Sequence, residues 1–82
     1  MTASPPPTSA LRLLQARALL ASGEARRIRQ AVGLSLSDIA ADIGVTDSAI
    51  YRWERGERIP RGRAAADYAA LLMQLREMLE PT

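Results

Sequence analysis

The sequence predicts an all-α protein, a small bundle of five helices. Three observations carry that expectation. No segment alternates apolar and polar residues with the period of two that a half-buried strand requires. Apolar residues recur three and four apart instead, as in Tyr68, Leu72, Leu75 and Leu79. The segments with this spacing are separated by punctuating residues, at Gly23, Gly33, Gly44, Gly56 and Pro60. A chain of 82 residues has room for one domain, and a domain of that size buries only about 60% of the surface its unfolded chain exposes. Modest stability follows, and no internal repeat is visible.

Taken in order, residues 1–8 are a proline-rich leader, expected to be disordered or extended. Thr8 or Ser9 can cap an N-terminal extra helix over residues 9–22, A-L-R-L-L-Q-A-R-A-L-L-A, which contains nothing that breaks one. Its apolar residues Leu11, Leu13, Leu14, Ala18, Leu20 and Ala21 spread over about 180° of the circumference, more than a single contact covers. Part of that surface should meet the last helix or a second subunit. Residues 23–80 form the remaining unit. Its first helix, E-A-R-R-I-R-Q-A-V, keeps Ala25, Ile28 and Val32 on one face and ends at Gly33. Ser35 caps the next, whose inward stripe is Leu36, Ile39, Ala40 and Ile43, with Asp38 favourably placed against the helix dipole. Gly44 stops it where a left-handed residue is wanted. Val45 plugs the corner, Thr46 caps a helix from Asp47 to Arg55, and Gly56 ends that one. After E-R-I-P-R a last helix runs from about Gly62 to Leu79.

Composition removes several classes of function. Cysteine and histidine are absent, so thiolate or imidazole metal sites, disulfides and the usual nucleophile and base pairs are not available. Five scattered glycines form no phosphate-cradling loop, so no enzyme, cofactor or small-molecule ligand is expected. The longest apolar run, Tyr68 to Met73, is six residues, against the ~20 of a membrane helix. No positive charge precedes an apolar core at the N-terminus, so no secretory signal or membrane partner is expected. The net charge is only +2, but all eleven cations are arginine and five of them, Arg52, Arg55, Arg58, Arg61 and Arg63, fall within twelve residues. Arginine's planar fork suits phosphates and guanine edges.

The stretch D-I-A-A-D-I-G-V-T-D-S-A-I-Y-R-W-E-R-G, residues 38–56, joins two short helices at a glycine. On a wheel of about 100° per residue with Ser48 at zero, Arg52, Arg55, Tyr51 and Asp47 lie between roughly −100° and +40°, while Ala49, Ile50 and Trp53 cluster between about +100° and +200°. Trp53 is therefore read as core rather than as a platform for a stacked base. Ala40 permits close crossing of the two helices, and Gly44 permits the tight turn. Together with G-E-A-R-R-I-R-Q-A-V-G-L-S before and W-E-R-G-E-R-I-P after, these residues resemble the helix-turn-helix of the Cro and phage-repressor (Xre-like) family, with its lambda-repressor-like bundle.

That resemblance implies a sequence-specific regulator of transcription, a repressor or activator of the bacterial cytoplasm or a phage-infected cell, that lays the 47–55 helix in the major groove of double-stranded DNA. It implies base contacts from Asp47, Ser48, Tyr51 and Arg52, with Arg52 bidentate to guanine, and phosphate contacts from Thr46, Arg55, Arg58, Arg61 and Arg63. It also implies a structural ion pair between Arg29 and Glu54. Two positions depart from the family pattern: Leu36 stands where glutamine often contacts the DNA backbone, and Asp47 where a polar or basic residue is usual. Asp47 can accept from a cytosine amino group or simply complement the helix dipole. A homodimer on a two-fold site is expected, because one small module meets few base pairs and a second copy supplies a half-site about 34–36 Å away; Leu71 and Met78 beside the last helix's stripe add to the apolar surface available. The alternative reading, favoured by the low net charge, Leu36 and Asp47, is a protein-interaction module, adaptor or antitoxin-like, that keeps the fold without strong DNA binding.

Overall fold

The computed structural model describes residues 9–80, and the leader with its Thr8 cap lies outside them. Five helices follow one another: α1 (Ser9–Ala21), α2 (Glu24–Val32), α3 (Leu36–Ile43), α4 (Asp47–Glu54) and α5 (Gly62–Leu79). No strand occurs among the described residues. The long α5 is the central post: α1, α2 and α3 pack on it, α1 also meets α2, and α4 lies on α3. The core runs through all five, with Ala16 and Leu19, Ala25 and Ile28, Ile39 and Ala40, Ile50 and Trp53, and Tyr68, Ala69, Leu72 and Leu75.

Local chemistry sets the helix ends. At the start of α3 the Asp38 N–H donates to Ser35 Oγ at 3.0 Å while the Ser35 N–H donates to the Asp38 carboxylate at 2.9 Å, a reciprocal capping box. The Ser35 N–H, and after it the Ser35 hydroxyl, hold the Asp38 carboxyl below its ordinary value. Asp38 thus does more than complement the helix dipole. Gly44 closes α3 at φ 75°, and a side chain there would meet no atom within 4 Å. Glycine is required by the backbone conformation, not by crowding. The Val45 N–H then reaches back to the Ala40 carbonyl at 3.0 Å, which turns the chain directly into α4.

Three expectations are corrected. α4 ends at Glu54, with Arg55 as its C-cap, because the Gly56 and Glu57 N–H groups turn back to the carbonyls of Trp53 and Arg52. Leu79 continues the apolar spacing of α5 yet is 42% exposed. In α1 the buried residues are Ala16 and Leu19, neither of them among the residues picked out for that helix, and the surface they form meets α5 and α2 of the same chain. Leu11 and Leu14 stay exposed.

Candidate nucleic-acid interface

α4 is held from behind and from one end. Behind it, Ile50 and Trp53 are buried, and the Trp53 ring lies tilted at 50° against Tyr68 of α5, centroids 5.3 Å apart. Trp53 is core, as its position on the wheel requires. At the C-terminal end, Glu54 accepts from Arg29 of α2 through two N–H groups, Nε at 2.6 Å and Nη2 at 2.9 Å. A third donor, Arg29 Nη1, reaches the Leu34 carbonyl at 3.1 Å. One guanidinium therefore ties together α2, the α2–α3 turn and α4. The hydrogen bond to Glu54 is the main reason the Arg29 pKa rises, against the opposing effect of its burial. Burial, and next the nearby Glu54 carboxylate, push the Tyr68 phenol up, so it stays neutral at any pH the protein meets; its hydroxyl has no hydrogen-bond partner among the described residues.

At the front, Thr46 caps α4 by accepting the Ala49 N–H at 3.1 Å. Asp47, Ser48, Tyr51 and Arg52 are all exposed on one side. Asp47 accepts from the Ser37 hydroxyl at 3.2 Å, a link between the first turns of α3 and α4. Arg55 stacks over the Tyr51 ring, 5.3 Å to its centroid, and donates to Glu57 at 2.8 Å. Arg63, itself almost fully exposed, faces a half-buried Asp67 one turn on, at 3.6 Å. The side chains of Arg52, Arg58 and Arg61 are exposed and have no partner among the described residues. The structure thus brings the proposed base-reading residues onto one face. It divides the proposed phosphate contacts into two arginines that are free, Arg58 and Arg61, and two that already hold a carboxylate, Arg55 and Arg63.

Two residues escaped the sequence reading. Arg26 lines a groove of about 200 Å³ between α2 and α4 together with Leu36, Tyr51 and Arg55. Its position three before Arg29 puts both on one face of α2, a signal that was available. Ser37 had no such signal, because its bond to Asp47 exists only once α3 and α4 cross. Among the described residues no cluster of acids is arranged to hold a metal, and no helix is long and apolar enough to cross a membrane. Residues 26–72 match the family model described as helix-turn-helix. No curated protein and no solved structure matches the chain.

Proposed function

Starting from the fact that the chain belongs to the Xre/Cro-like helix-turn-helix family, we propose that it is a sequence-specific regulator of transcription in the cytoplasm that binds double-stranded DNA with α4 in the major groove. The observation that carries this reading is the division of α4: Ile50 and Trp53 are buried, while Asp47, Ser48, Tyr51 and Arg52 face outward beside Arg55, Arg58 and Arg61. Base edges then meet Asp47, Ser48, Tyr51 and Arg52. Thr46, Arg58 and Arg61 hold phosphates, and Arg55 and Arg63 join them by exchanging a weak exposed ion pair for one with DNA. The chain acts as a homodimer, and its exposed Leu14, Met78 and Leu79 supply apolar surface for the contact.

Salt dependence tests the reading. Two free arginines on phosphate give a slope of about −2 in log affinity against log salt, and all four, once Arg55 and Arg63 join, about −3.6. Equal binding at low and high salt, or no duplex binding at low salt, removes it. The second result would favour a protein-interaction module, for which one observation speaks: an apolar recess of about 230 Å³ where Leu20 and Ala21 of α1 face Trp53, Ile59 and Pro60.

A further inference from the structure

We propose that Asp47, held in place by Ser37, reads a cytosine, so that the preferred site carries a G·C pair under the start of α4 in addition to the guanine met by Arg52. The inference rests on the DNA-binding reading above. A carboxylate at the tip of a helix entering the major groove faces a dense row of phosphates and is repelled unless a donor meets it. Capping of the first turn does not account for it, and a favourable interaction with the helix dipole needs no fixed orientation of the carboxylate. Thr46 supplies the cap oxygen for the first turn, whereas the Asp47 carboxylate bonds across the turn to the Ser37 hydroxyl instead, at 3.2 Å. Ser37 occupies one carboxylate oxygen, and Oδ1 takes no hydrogen bond among the described residues.

Only two base groups in the major groove donate: the amino groups of cytosine and adenine. In an A·T pair the amino group sits between two acceptors, adenine N7 and thymine O4, so a carboxylate placed on it meets negative potential on either side. Cytosine's amino group has an acceptor on one side only, guanine O6, and a C–H on the other. An acceptor with no donor of its own therefore favours cytosine. Asparagine in the same place has both and favours adenine. Ser37 is a positioning residue: its hydroxyl restricts the carboxylate without touching the base.

Selection of duplexes from a random pool, carried out with the wild type, Asp47→Asn and Ser37→Ala, tests this. The wild type is expected to enrich cytosine about tenfold over other bases at one position. Asp47→Asn moves that position to adenine and leaves the guanine read by Arg52 unchanged. Ser37→Ala weakens the cytosine preference by roughly threefold, with the guanine preference unaltered. A wild type that enriches specific duplexes whose profile is the same in Asp47→Asn overturns the inference and leaves DNA binding intact. Failure of the wild type to enrich any duplex overturns both, so the two failures are distinguishable.

Discussion

Replacing Glu54 by alanine is expected to destabilise the protein by about 3 kcal/mol, more than any exposed charge could. The two partners are 13% and 5% exposed and share contacts of 2.6 and 2.9 Å. Removing one member of a buried pair costs about 3–5 kcal/mol, because the other charge stays in place without a partner. The residual solvent contact of Arg29 puts Glu54→Ala at the lower end. Arg29→Ala leaves a drier carboxylate alone and also frees the Leu34 carbonyl, so about 4–5 kcal/mol is expected. A chain of 82 residues has roughly 4–12 kcal/mol in total, and each kcal/mol moves the melting temperature of a domain this size by about 4–8 °C. Glu54→Ala should therefore melt about 12–24 °C lower. Arg29→Met/Glu54→Leu removes both charges, keeps their volume apolar, and should recover all but about 1 kcal/mol, the remainder being the unbonded Leu34 carbonyl. Far-UV circular dichroism melts of the variants at one protein concentration provide the comparison. A loss below about 1 kcal/mol for Glu54→Ala, or a double variant as unstable as the two singles added, would refute the reasoning.

Arg52→Ala should cost about 1–3 kcal/mol at one base pair and relax preference there, whereas Arg58→Ala should weaken all sequences alike and flatten the salt slope by about one; identical effects across a mismatch series contradict these roles. Ala40→Leu should destabilise by about 1–3 kcal/mol, since Ala40 is 3% exposed in the core beside α4, and an unchanged melting temperature shows that the crossing has room. Asp38→Ala should lower the melting temperature at neutral pH. The Asp38 carboxyl has its pKa depressed on folding, so its contribution is present above its ordinary value near 3.8 and is lost as pH falls through the lower folded value; melts of the two proteins converge in acid, and a constant gap speaks against the capping box as the cause. Sedimentation with a selected duplex should give two chains per two-fold site, and a one-to-one complex on a site without inverted repeats defeats the dimer.

The elements whose limits depend on residues a few places apart were legible. Ser35, Gly44 and Thr46 act on N–H and C=O groups within one turn, so α3 and the start of α4 follow from the sequence. What depends on a neighbour was not. α1 carries leucine or alanine nearly all round, so its periodicity selects no face, and burial of Ala16 and Leu19 is decided by where α5 lies. Leu79 keeps the right spacing yet stays largely outside the core. Arg29 and Glu54 are 25 residues apart, and only resemblance to a family paired them. The site followed the same rule: a wheel sorted Asp47, Ser48, Tyr51 and Arg52 from Ile50 and Trp53, and the partners of Arg55 lie within one turn of it, but the Ser37 partner of Asp47, ten residues away, needed the folded chain.

On the proposed DNA-binding reading, those partners bear on recognition. Tyr51 and Arg55 are stacked on each other and Arg55 is bonded to Glu57. The stack has already restricted the Tyr51 side chain in the unbound protein, so a contact from it carries little further entropy cost, whereas Arg55 has first to exchange Glu57 for a phosphate. Arg52 has no partner among the described residues. An arginine side chain carries about 2 kcal/mol of rotamer entropy, and holding it on a guanine cancels much of what a bidentate contact gains. Arg52 is consequently suited to discrimination more than to affinity: on guanine two hydrogen bonds offset the ordering, while on another base the cost stands nearly alone. In that reading the affinity comes from the proposed phosphate contacts of Arg58 and Arg61. On the same reading α4 has to sit at a constant depth in the groove, and the part-buried Arg29–Glu54 pair and Trp53 against Tyr68 brace it on its inner side.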